Sequence, residues 1–147
     1  MRSTSTDRCI GAVAGAGRGD GIIPLMPDTY TGTCHCGAVA FRITLDGGLT
    51  GRQCNCSLCR RKGAIMGTVA KNRLKILRGE DKLTLYRWNT RVARHYFCSA
   101  CGIYTHHQRR TDPSICGFNL ACIEGVDPST LGEIEQVDGA SFSVVGD

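Results

Sequence analysis

The chain lacks any long apolar run. Its hydrophobic stretches are interrupted by Gly, Arg or Asp within several residues, whereas a helix that crosses a bilayer needs about 20 mainly apolar residues. A sustained helical period is also missing, which argues against a helical bundle. The remaining apolar content, 41% of 147 residues, is typical of one globular domain with its own core.

The sequence also lacks a concentrated basic surface. The formal net charge is +5, but Lys and Arg are mixed with acids except at Arg60-Arg61-Lys62 and Arg109-Arg110. Proteins that bind single-stranded nucleic acid place aromatic side chains between basic ones. Such a pattern is approached at a single place, formed by Arg87-Trp88, Arg91, Arg94 and Tyr96. A nucleic-acid partner is therefore disfavoured.

Cysteine, in contrast, is abundant. Seven of the ten cysteines form three tight clusters: Cys34 and Cys36; Cys54, Cys56 and Cys59; Cys98 and Cys101. C-x-C and C-x-x-C spacings suit metal coordination better than disulfide bridges, and no secretion signal precedes them. We therefore expect bound zinc and a reducing, cytoplasmic location.

The clusters divide into four plus three. A structural zinc is tetrahedral and takes four thiolates, so Cys34, Cys36, Cys98 and Cys101 can close one site between distant chain segments. Glycine follows each of these pairs, at Gly37 and Gly102, where a zinc-binding turn often needs a left-handed backbone.

Cys54, Cys56 and Cys59 then supply three sulfurs to a second zinc. A site with three protein ligands keeps a fourth position for water or substrate, which distinguishes catalytic from structural zinc. The fourth ligand is left open among water, a substrate thiol and a protein residue such as His95, and in the last case the site is structural. Arg60, Arg61 and Lys62 follow directly, to offset the negative charge of three thiolates and to steer an anionic substrate.

His106 and His107 follow the last cysteine pair closely. Strand alternation sends their imidazoles to opposite faces, so at most one of them can approach a given site as ligand or acid–base group. Cys116 and Cys122 are interpreted as small buried core residues.

The organisation predicted is a disordered extension over residues 1–27, rich in Gly, Ala, Ser and Thr, followed by one zinc-binding domain over residues 28–147. Strand patterns cover residues 38–45, 64–70, 74–77, 83–88 and 92–97, separated by turn signals. Short helical turns are expected near Cys56-Ser57 and over residues 127–131. The fold class is mainly β, with antiparallel sheets stapled by zinc.

Four segments carry a family resemblance: GTCHCGAVAF, CNCSLCRRKGA, FCSACGIYTHHQRR, and NLACIEGVDPSTL with the later VDG. With them the chain resembles the glutathione-dependent formaldehyde-activating enzymes and the related centromere protein V-like domains. The resemblance implies an Mss4-like, tent-shaped β fold. It implies a structural zinc at Cys34, Cys36, Cys98 and Cys101, and a catalytic or labile zinc at Cys54, Cys56 and Cys59.

The activity implied by the resemblance is the joining of glutathione to formaldehyde to give S-hydroxymethylglutathione, which is carbon–sulfur lyase chemistry in reverse. The partner expected is a small thiol such as glutathione. The alternative is a non-catalytic, zinc-stapled module that binds a protein or a nucleic acid.

Overall fold

The computed structural model describes residues 27–144. The extension expected over residues 1–27 lies, apart from Pro27, outside the described residues, and so does Cys9. Across residues 27–144, no helix has both the length and the apolar composition to cross a membrane.

Within the described region, ten strands form two sheets. They are β1 (Asp28–Thr33), β2 (Ala40–Leu45), β3 (Gly51–Cys54), β4 (Met66–Ala70), β5 (Leu74–Arg78), β6 (Leu83–Tyr86), β7 (Arg94–Cys98), β8 (Tyr104–Gln108), β9 (Ile115–Asn119) and β10 (Ile134–Val137). The small sheet has the order β1-β2-β5, and the large sheet has the order β10-β3-β4-β9-β8-β7-β6. Every pairing is antiparallel except β3 with β10, which is parallel. The mainly β, antiparallel fold class is confirmed.

The local patterns of the sequence are also confirmed. Each of the five predicted strand segments contains or overlaps a strand, from β2 to β7. The first predicted helical turn is α1 (Ser57–Lys62), which ends at Gly63 in a left-handed conformation. The second is a 3₁₀ turn over Pro128–Thr130, where the side chain of Asp127 accepts a hydrogen bond from Ser129 N.

The two sheets share one hydrophobic core. Phe41 and Ile43 of β2 are fully buried and pack in one cluster with Val69 of β4 and Phe118 of β9. Gly67 of β4 lies directly against the ring of Phe118, where any side chain would clash. The absence of a side chain at Gly67 thus leaves room for the ring of Phe118 against the neighbouring strand of the large sheet.

The cysteine clusters lie at the ends of strands. Cys34 and Cys36 occupy the turn between β1 and β2 in the small sheet, whereas Cys98 and Cys101 occupy the turn between β7 and β8 in the large sheet. Contact between these two turns therefore joins the sheets at one edge of the core. The three-cysteine cluster spans the end of β3 and the start of α1.

Candidate metal centres and the adjoining cavities

Four sulfur atoms converge although their cysteine pairs are far apart in the chain. Those of Cys34, Cys36, Cys98 and Cys101 all lie within 4.8 Å of one another. Cys36 Sγ is 3.6 Å from Cys34 Sγ and 3.7 Å from Cys98 Sγ. Because a Zn–S bond is about 2.3 Å long, sulfurs at the corners of a zinc tetrahedron lie about 3.8 Å apart. This four-sulfur centre therefore fits a structural zinc.

The two turns that carry these sulfurs are built alike. Cys34 O accepts a hydrogen bond from Gly37 N at 3.2 Å, and Cys98 O accepts one from Gly102 N at 2.7 Å. Both glycines have a positive φ, 81° at Gly37 and 77° at Gly102, a conformation that other residues adopt at a cost. The glycines that follow each pair in the sequence are thus required by the turn.

The surroundings of the four-sulfur centre favour thiolates at particular positions. Val39 N donates a hydrogen bond to Cys34 Sγ at 3.3 Å. Backbone N–H groups of Cys36 and Ile103 lower the pKa of the Cys101 thiol to about 6. All nine cysteines of the described region are free thiols, so none of them is held in a disulfide. Deprotonated sulfur is the form that binds metal.

A separate three-sulfur centre is formed by Cys54, Cys56 and Cys59, whose sulfurs also lie within 4.8 Å of one another. Cys56 is the N-cap of α1, and its sulfur accepts a hydrogen bond from Cys59 N at 3.4 Å. Among residues 27–144, no histidine nitrogen, carboxylate oxygen or further cysteine joins the three sulfurs within that distance. A zinc held here would keep one coordination position open.

The C-terminal segment packs directly on the three-sulfur centre. Gly139 lies against Cys54 Sγ, so that any side chain at this position would clash with the sulfur. Asn55 holds the segment in place, since its Nδ2 donates to Asp138 Oδ1 and its Oδ1 accepts from Ala140 N, both at 2.9 Å. The residue between two cysteines therefore anchors one wall of the site.

Two cavities open beside the three-sulfur centre, with volumes of about 180 Å³ and about 190 Å³. Both are lined by Cys54, His107, Arg109 and Thr111. The first cavity also reaches Cys56 and Arg110, and the second reaches Cys59 and Arg52. No acidic side chain lines either cavity. Both cavities are consequently suited to an anionic ligand that also contacts the sulfurs.

The arginines of the cavities are held by the large sheet. Arg109 follows β8, and its Nη2 donates to Thr68 Oγ1 at 2.6 Å. Burial, reinforced by the positive charge of Arg52, lowers the pKa of the Arg109 guanidinium. The nearest ion pair is weak, because Arg52 Nε lies 3.8 Å from the largely exposed carboxylate of Glu135. An anionic ligand would relieve the repulsion between the two arginines.

A buried polar cluster borders the cavities. His95 Nδ1 is 3.0 Å from the hydroxyl of Tyr104, and the rings of His95 and His107 stack with their centroids 5.4 Å apart. Burial, with a smaller contribution from the charge of Lys62, lowers the pKa of His95 to about 4 and that of His107 well below its usual value. Both imidazoles are therefore neutral at pH 7.

The three basic residues that the sequence analysis assigned to the site point in different directions in the structure. Arg60 is exposed, Arg61 donates from Nη1 to Ser57 O, and neither lines the two cavities. Lys62 turns inward, with Nζ 3.6 Å from the centroid of the Tyr104 ring. His106 and His107 lie on opposite faces, as alternation predicts, since His106 stacks on Tyr96 away from the three-sulfur centre.

Sequence reasoning did not assign Arg52, Arg109, Arg110, Asn55 or Gly139 to the site. Two features of the sequence could have indicated some of these residues. Arg109-Arg110 is one of the two basic clusters, and Gly139 belongs to the VDG segment that contributes to the family resemblance. Trp88, considered for nucleic acid, lines the first cavity instead.

Two comparisons with known proteins found a match. A model of the family described as glutathione-dependent formaldehyde-activating enzyme matches residues 29–136. Among solved structures, the crystal structure of a Rhodobacter sphaeroides protein is similar at 51% sequence identity and a TM-score of 0.69. The alignment covers 73% of this chain and 99% of that one.

The geometry predicts two metal ions, of which the one at the four-sulfur centre is bound more tightly than the one at the three-sulfur centre. Native mass spectrometry of zinc-loaded protein is expected to show two zinc ions, and mild chelation should remove the one with three protein ligands first. Cys56→Ser should retain one zinc and its fold, whereas Cys36→Ser should lose the tie between the sheets and unfold. Loss of both ions from Cys56→Ser, or retention of both, would contradict the assignment of the two centres.

Proposed function

Since the chain belongs to the glutathione-dependent formaldehyde-activating enzyme family, we propose that it is a zinc-dependent enzyme of the carbon–sulfur lyase type. It joins the thiol of glutathione to formaldehyde, giving S-hydroxymethylglutathione, and cleaves the same adduct in reverse. The observation that carries this proposal is a cluster of three sulfurs without a fourth protein ligand in the described region, open to two cavities lined by arginine.

The three-sulfur centre has the donor set of a zinc site with an open position. Cys54, Cys56 and Cys59 would hold the ion, and their soft sulfurs suit zinc. When bound there, zinc supplies a Lewis acid that favours the thiolate form of an added thiol, which is the nucleophilic form.

The arginines account for an anionic thiol as substrate. Glutathione carries two carboxylates, and the cavities that meet at Cys54 present Arg52, Arg109 and Arg110 without any acidic lining residue. Arg–carboxylate pairs are charge-assisted and frequently bidentate, so they fix orientation as well as affinity. The arginines thus hold the tripeptide with its sulfur beside the cysteines.

The reaction transfers one proton from sulfur to oxygen. As the thiol sulfur bonds to the carbonyl carbon, the electron pair of the C=O π bond moves to oxygen, and the oxygen takes up the proton that the thiol has lost. His107 borders both cavities, and its Nδ1 is enclosed without a hydrogen-bond partner in the described part of the chain. Nε2 is therefore the nitrogen available to accept the proton and return it to oxygen.

Exchange spectroscopy with ¹³C-formaldehyde and reduced glutathione tests the activity directly, because the adduct also forms without a catalyst. Zinc-loaded protein at micromolar concentration is expected to accelerate exchange between free formaldehyde and the adduct, and Cys56→Ser should not. Titration calorimetry should also detect glutathione binding. An unaccelerated exchange, together with no binding heat up to millimolar glutathione, would refute the proposal.

Arg109 is expected to determine affinity for the thiol. Arg109→Gln should raise the glutathione Kd by about 10-fold or more, because a charge-assisted hydrogen bond contributes about 1.5–3 kcal/mol. Arg61→Gln is the matched control, since Arg61 carries the same charge but lines neither cavity. Glutathione diethyl ester, which lacks both carboxylates, should bind the parent and Arg109→Gln equally. A large effect of Arg61→Gln would instead indicate nonspecific attraction.

His107 is expected to affect turnover rather than binding. His107→Gln should lower the exchange rate constant by about 10²-fold, in the range typical of lost acid–base catalysis, while glutathione affinity and both zinc ions are retained. His106→Gln is the control, because that ring lies on the opposite face of β8. An exchange rate unchanged in His107→Gln would remove this residue from the mechanism.

A further inference from the structure

Lys62 is half-buried, and its charged end is the enclosed part. It is the last residue of α1, yet Nζ is enclosed, and no oxygen or nitrogen atom of residues 27–144 forms a hydrogen bond with it. The neighbouring Arg60 is exposed and Arg61 bonds only to its own helix. Lysine is almost never fully buried without a compensating charge, because removing an ammonium group from water is costly.

The compensation does not come from a carboxylate. The two ion pairs found in the described region join Arg52 to Glu135 and Arg73 to Asp46, and neither involves Lys62. The face of Tyr104, 3.6 Å away, offers a favourable cation–π contact. Cys59 precedes Lys62 by three positions in α1, so the two side chains lie on the same face of the helix. Burial lowers the pKa of Lys62, and the negative charge available from Cys59, Cys56 and Cys54 opposes that shift.

The other groups facing Nζ carry no negative charge. Burial and, to a smaller extent, the nearby charge of Lys62 lower the pKa of His95 and of His107, so these two imidazoles supply no negative charge. Lys62 lines neither of the two cavities, so a ligand held there would not contact it. These positions favour a role toward the sulfurs over the role in steering substrate that the sequence suggested.

Charge balance identifies what the ammonium group compensates. A divalent ion held by three thiolates carries a net charge of −1, and one adjacent ammonium brings the assembly to zero. Metal binding converts neutral thiols into thiolates, so the centre becomes more negative as it loads. A fixed positive charge in a poorly solvated position therefore favours the loaded state.

We propose that Lys62 is the internal countercharge of the three-sulfur centre, and that it sets the affinity of that centre for a divalent metal. This role does not depend on the reaction proposed above. The same charge also lowers the cost of adding a fourth, anionic sulfur to the metal. Lys62 is thus a positioning residue, which acts on ligands through the metal centre.

The test compares metal affinities of variants that lose one positive charge at successive positions. Lys62→Met keeps the length of the apolar stem over Tyr104, and Arg60→Met and Arg61→Met remove the same charge from exposed neighbours. Competition of zinc-loaded protein with a chromophoric chelator, followed by native mass spectrometry, gives the dissociation constants of the two centres. The four-sulfur centre is an internal control in every variant.

Lys62→Met is expected to raise the zinc Kd of the three-sulfur centre by about 10–100-fold, the range typical when an outer-shell partner of a metal is lost. Arg60→Met and Arg61→Met should change it by less than about threefold, because exposed charges are screened. The four-sulfur centre should be unaffected. Unchanged affinity in Lys62→Met, or an equal loss in the arginine variants, would overturn the proposal.

A second pair of variants separates charge from packing. Lys62→Arg retains the charge and should retain most of the zinc affinity. The uncharged Lys62→Gln should lose as much affinity as Lys62→Met. Lys62→Gln also takes the place of Lys62→Met if the methionine variant does not fold. An equal loss in Lys62→Arg and the uncharged variants would show that packing over Tyr104 is what matters, and would also overturn the proposal.

Discussion

The meeting of two cysteine turns, one from each sheet, is the contact on which the rest of the structure depends. Cys36 and Cys98 are 62 positions apart, yet their sulfurs are 3.7 Å from each other. A structural zinc held by four such thiolates contributes about 10–16 kcal/mol, which is comparable to the whole stability of a typical domain, about 5–15 kcal/mol. Zinc bound to the four sulfurs would therefore be a major determinant of the relative position of the two sheets.

The two centres offer the same donor atom to a metal ion. Both centres consist of cysteine sulfurs, and they differ in the residues that surround them. Cys34 and Cys98 are almost completely buried beside Val39, whereas Cys54 borders two cavities that contain arginine. A closed set of four ligands stabilises a fold, and an incomplete set beside a cavity can bind and activate an external thiol.

Much of this arrangement was predictable because it is encoded locally. Strand alternation, the glycines that follow the cysteine pairs, and the capping position of Cys56 are all short-range features, and the structure contains each of them. The basic run after Cys59 could not be resolved in the same way. Its three charges look equivalent in sequence, but in the structure Arg60 and Arg61 lie outside and Lys62 points into the protein.

The sequence alone predicted the two groups of cysteines that the structure brings together, because their spacing is typical of metal ligands, and it predicted the mainly β fold through its alternating pattern. The tertiary structure alone decided which other residues lie beside the three-sulfur centre. Arg109 follows the end of β8 and lines the first cavity, and Gly139 of the C-terminal segment lies beside Cys54. Their positions follow from the pairing of distant strands, and no local pattern specifies that pairing.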